Sequence, residues 1–93
     1  MEKYQQIIGK KIKLVFNSDI INSYTIKDLT LTVENMLGRG KLYKGNVEWE
    51  NKKLGGVPFM LFDEQTLNDL LFKNKALSPD IPDMYFEIET LKN

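Results

Sequence analysis

LTLTVENMLGRGKLYKGNVEWE, residues 29–50, decides the fold. Leu29, Leu31 and Val33 alternate with Thr30, Thr32 and Glu34, the period of a half-buried strand. Further on, Tyr43, Val47 and Trp49 share one parity, while Lys44, Asn46, Glu48 and Glu50 take the other. A three-residue loop at Gly38-Arg39-Gly40 makes this a β-hairpin in which Leu29 opposes Trp49, Leu31 opposes Val47 and Glu34 opposes Lys44. A two-residue loop would set Leu31 against Glu48 and mix the faces. Gly40 falls where such loops need a left-handed residue. Gly45, opposite Val33 in this register, reads as a strand glycine covered by a large neighbour or as a bulge. The rival is a second tight turn at Gly45-Asn46 that shortens the hairpin to residues 41–50.

On the N-terminal side, residues 2–9 fit a short helix with Tyr4, Ile7 and Ile8 on one side, ended by Gly9. Residues 10–16 turn to alternation, with Ile12, Leu14 and Phe16 facing one way and Lys11 and Lys13 the other, and form the first strand. Asn17-Ser18-Asp19 is a turn by composition. A short strand near Ser23–Lys27 precedes the hairpin, though Asp19 would also serve as the cap of a helical turn.

On the C-terminal side, Val57–Phe62 is apolar on both parities and fits a strand covered on both faces, where Pro58 fits only near its start or on an edge. Asp63 then stands at a helix N-cap with Glu64 in the first turn. Leu67, Leu70, Leu71 and Phe72 form a helical stripe over about residues 63–74, and Ser78-Pro79 bars continuation. Met84, Phe86 and Ile88 alternate with Tyr85, Glu87 and Glu89 in a closing strand over about residues 84–90. The expected class is α+β: a mostly antiparallel sheet or partly open barrel of four to six strands with one main helix, residues 1–93 forming one domain.

Composition narrows the chemistry. The apolar fraction of 42% and the charged fraction of 28% suit a folded domain rather than a disordered one. No apolar run is long enough to span a membrane, no secretory signal pattern opens the chain, and a cytoplasmic setting is expected. With no histidine and no cysteine, the commonest general base, metal ligand and strong nucleophile are missing. No catalytic, cofactor-binding or metal-binding residue set is expected. The pairs Glu48/Glu50 and Glu87/Glu89 place carboxylates roughly 6.5–7 Å apart on a strand face, a spacing that solvent-facing glutamates also give. Gly38-Arg39-Gly40-Lys41 and Gly55-Gly56 lack the strand–loop–helix setting of a phosphate loop.

The 13 basic and 13 acidic side chains balance overall but not along the chain. Residues 1–53 carry net +4 and residues 54–93 net −4. Lys10, Lys11 and Lys13 as a phosphate-facing cluster, and Tyr24, Tyr43, Trp49 and Tyr85 interleaved with Lys41 and Lys44 as a stacking platform, support one reading: a small nucleic-acid-binding β-barrel that uses the basic N-terminal half. The reading preferred here is a non-enzymatic protein-binding module. The chain's general aspect is similar to accessory proteins of phages and mobile elements in low-GC bacteria, a resemblance of type that carries no residues over. It implies an inhibitor or adaptor of a larger protein. The candidate partner-binding residues are Arg39, the chain's one arginine, with Lys41 and Lys44, on a tip expected to tolerate substitution without loss of stability.

Overall fold

The computed structural model describes residues 2–36, 38–54 and 56–90. A 3-10 helix over Glu2–Gln6 leads into β1 (Lys11–Phe16), β2 (Asp19–Ile26), β3 (Thr30–Met36), β4 (Gly40–Trp49) and β5 (Phe59–Asp63). The helix α1 (Glu64–Lys73), β6 (Lys75–Leu77) and β7 (Met84–Ile88) complete the order. The strands form an antiparallel sheet in the order β3-β4-β2-β1-β7-β6, with β5 also paired to β4, curled into a half-barrel with one helix. This is the expected α+β class. The strand beyond the expected four to six is the three-residue β6, directly after α1.

The local signals explain most elements. Tyr4 and Ile7 are buried as the N-terminal stripe requires, although the helix is a 3-10 turn rather than an α-helix. Asn17 and Ser18, at φ 49° and 71°, make the two-residue left-handed loop that joins β1 to β2. The strand expected near Ser23–Lys27 begins earlier, at Asp19. Asp63 caps α1 by accepting from the Thr66 N–H at 2.7 Å, and Asn74 ends it in the left-handed conformation. Leu67 and Leu70 are fully buried and Leu71 partly so, but Phe72 is 72% exposed and does not belong to the docking stripe.

The hairpin exists with a different register. Thr30 opposes Lys44, Leu31 opposes Tyr43, Val33 opposes Leu42 and Met36 opposes Gly40, with irregularities on either side of Val33. Gly40 is left-handed, at φ 80°, as its loop position demands. Leu29 therefore does not meet Trp49, nor Leu31 Val47, nor Glu34 Lys44. Trp49 instead opposes Tyr24 of β2, their rings edge-to-face at 5.4 Å. The reason is that β4 is shared along one edge. Its first half pairs with β3 and its last three residues, Val47–Trp49, pair with β2.

The corner between β2 and β3 lies opposite Gly45. Lys27 N–H donates to Asn46 O at 2.8 Å, and the Asp28 carboxylate accepts from both the backbone and side-chain amides of Asn46. A Cβ on Gly45 would lie 2.9 Å from the Asp28 carbonyl oxygen and 2.9 Å from the Phe62 ring. Close approach, not a tight turn, requires glycine here. The core that results gathers Tyr24, Ile26 and Tyr43 against Phe62, Leu67 and Phe86.

Candidate functional site

The structure separates the three sequence candidates. Arg39 does lie in the β3–β4 loop, but its guanidinium is committed to the fold. Nε donates to Asp63 Oδ2 at 2.8 Å, and Nη2 donates to Asp63 Oδ1 at 3.1 Å and to Thr66 Oγ1 at 3.2 Å. The Gln65 N–H donates to the Arg39 carbonyl, and the Lys41 N–H donates to Glu64 at 3.0 Å. The loop is bolted to the start of α1 because β5 pairs with β4 in the register Leu42–Asp63, which brings the helix cap beside the loop. The expectation of an unobstructed tip is corrected accordingly.

Lys41 and Lys44 are exposed. Their opposite parity on β4 turns them to different faces. Lys44 lies over the Phe59 ring, 4.4 Å from its centroid. It belongs to a surface that the sequence reading missed.

That surface is the outer face of β3, β4 and β5. Tyr43 and Gly45 point into the core, so Leu42, Lys44 and Asn46 point outward. Their neighbours on that face are Val33 beside Leu42, Leu61 beside Lys44 and Phe59 beside Asn46. Leu61 is 56% exposed and Phe59 and Val33 each 37%. The strand expected to be covered on both faces is covered on one. An apolar run on both parities is the signal for either case, and nothing local distinguishes them.

The outer face of β1 and β7 is different in kind. Lys11 pairs with Glu50 at 2.7 Å and with Glu89 at 3.8 Å, and Lys13 pairs with Glu87 at 3.6 Å. The hydrogen bond to Glu50 raises the Lys11 pKa above its ordinary value. The basic N-terminal cluster and the acidic strand pairs thus answer one another across strands, each carboxylate pair having at least one member held by lysine. Among the described residues no group of three or more carboxylates is placed to hold a metal ion.

The aromatic platform is not assembled on the surface. Tyr24 is 1% exposed and Tyr43 is also buried. Trp49 is half-buried and donates its indole N–H to the Val57 carbonyl at 3.0 Å. Burial drives the Tyr24 hydroxyl pKa well up, and that oxygen has no hydrogen-bond partner among the described residues. Gly55 of the Gly55-Gly56 pair lies outside the described residues, and a Cβ on Gly56 would meet only Trp49.

Between β5 and the 78–81 connection lies a slot of about 170 Å³ lined by Met60, Phe62, Asp63, Asp80, Ile81 and Met84 among others. No family model, no curated protein and no solved structure matches the chain. No helix among the described residues is long and apolar enough to cross a membrane.

Proposed function

We propose that this chain is a cytoplasmic, non-enzymatic protein-binding module, an inhibitor or adaptor of the kind that phages and mobile elements carry, and that it binds through the outer face of β3–β4–β5. The observation that carries this reading is the contrast between its two solvent-facing sheet surfaces. One is a ladder of ion pairs centred on Lys11 and Lys13. The other presents Val33, Leu42, Phe59 and Leu61 beside Lys44, Asn46 and the Asp28 carboxylate that Asn46 holds. Exposed leucines scattered singly mean little, but apolar residues adjacent across three strands with a polar rim are what interfaces look like. Lys44, held over Phe59, supplies the cation at the centre of the patch.

The test is recovery of a partner from cells that carry the protein, compared between the wild type and the double variant Phe59→Ala/Leu61→Asp. Both side chains stand largely outside the core, so folding by circular dichroism should be retained. A partner bound by the wild type should be lost. Equal recovery by the folded variant would exclude this face.

A further inference from the structure

We propose that β5 is the docking edge for an extended cationic peptide segment of the partner, which adds as a further strand and places one side chain in the slot. The inference rests on the protein-binding reading and names the form the partner takes.

Among the described residues, three strands of the sheet have a neighbour on one side only: β3, β6 and β5. Bare edges invite pairing with another chain, and folded proteins blunt them with bulges, lysines or brevity. β3 carries register irregularities on both sides of Val33. β6 is three residues long and begins with Lys75. β5 has no bulge and no lysine: its five residues, Phe59–Asp63, pair with β4 in unbroken register, and the 78–81 connection flanks its outer edge across the slot. Its one charge, Asp63, is taken up by Arg39.

The direction of the free groups follows from the ladder. Val47 N–H donates to the Pro58 carbonyl at 2.8 Å, so Pro58 turns its carbonyl toward β4. Alternation then turns Met60 and Phe62 toward β4 and leaves the N–H and C=O of Phe59 and Leu61 pointing away from it. Such a row of donors and acceptors calls for a strand, not a helix or a flat apolar surface.

The slot alongside sets the occupant's character. At about 170 Å³ it has the size of a cavity, roughly 150 Å³, that accepts a benzene-sized group, so it takes one apolar side chain. Its lining carries Asp80 and Asp63, the latter already held by Arg39, and no lysine or arginine. Asp80 makes no ion pair among the described residues. A second copy docked edge to edge would set two acidic halves, each net −4 over residues 54–93, against one another. A lysine- or arginine-bearing strand meets no such repulsion and finds Asp80 beside it.

The experiment titrates the 15N-labelled chain with the blocked heptapeptide Val-Lys-Val-Lys-Val-Lys-Val, its glutamate counterpart, and the lysine peptide N-methylated at every residue. The lysine peptide should shift the Phe59 and Leu61 amide resonances saturably, and the other two should not. Leu61→Pro removes an outward N–H without touching the β4 ladder and should abolish the response, while Leu61→Ala should keep it. Absence of any shift at Phe59 and Leu61 with the lysine peptide overturns the proposal, as does an equal response to the N-methylated or glutamate peptide. Concentration-dependent self-association that protects the same amides overturns it in favour of a second copy. Recovery of a cellular partner by Leu61→Pro but not by Phe59→Ala/Leu61→Asp leaves the protein-binding reading standing and overturns the strand addition alone.

Discussion

Arg39 holds Asp63 in two-point geometry at 2.8 and 3.1 Å, and Asp63 in turn caps α1 through the Thr66 N–H at 2.7 Å. One loop residue thereby ties the β3–β4 turn to the start of the helix. The planar guanidinium fork suits this arrangement, and an ammonium does not reproduce its two-point geometry on the carboxylate.

Arg39→Ala should therefore lower stability by about 1.5–3 kcal/mol, the range for hydrogen bonds to a charged group. Arg39→Lys should recover only part of that loss. Lys41→Ala should stay within about 0.5 kcal/mol, since its contact to Glu64 uses the backbone N–H. Urea unfolding of the three variants orders them; equal stability of Arg39→Ala and the wild type would contradict the tie.

The same pair predicts a pH dependence. Burial pushes the Asp63 carboxyl up, but the Arg39 guanidinium and the Thr66 amide outweigh it and hold the pKa below its usual value. A depressed folded pKa contributes stability that is full above the unfolded value, about 3.9, and is lost as pH falls through the lower folded value. Asp63→Asn should lower stability near neutral pH and flatten the loss below about pH 4. Asp28 is also depressed, chiefly by hydrogen bonds from Asn46, so Asp28→Asn should act in the same direction. Acid titration of stability in which Asp63→Asn and the wild type run parallel would show no such coupling.

Gly45→Ala should destabilise by about 1–3 kcal/mol, as overpacking does. The added methyl meets the Asp28 carbonyl and the Phe62 ring at 2.9 Å, and backbone cannot move aside as a flexible side-chain end would. Gly38→Ala meets no atom within 4 Å but sits at φ 78°, so its loss should come from backbone strain alone. A Gly45→Ala variant of unchanged thermal stability would contradict the close approach at this corner.

How much of this was legible depended on how far apart the partners lie. The helix was readable because Asp63, Leu67 and Leu70 carry its cap and buried stripe within eight residues of chain. The strand over residues 84–88 was readable from period alone, whereas in β1 the irregularity between Leu14 and Val15 buries Val15 and exposes Phe16, against the expected alternation of Ile12, Leu14 and Phe16. The hairpin register was not. Alternation reports which face a side chain takes, not which residue lies across from it, and irregularities in β3 absorb residues that an ideal ladder would pair. Trp49 has the right face for Leu29, yet its neighbour Tyr24 lies on a strand that alternation could not connect to it. The site failed for the same reason. Arg39 reads as a free tip until the β5–α1 junction, 24 residues later, is set beside it. Phe59 and Leu61 read as core until the sheet is seen to leave their face open.

Amide hydrogen exchange in the free protein tests directly whether the outer edge of β5 is bare. The Met60 and Phe62 N–H groups, turned into the β4 ladder, should exchange slowly, while those of Phe59 and Leu61 should exchange roughly tenfold or more faster. Protection of Phe59 and Leu61 equal to that of Met60 and Phe62, at protein concentrations where the chain is monomeric, would contradict a bare edge.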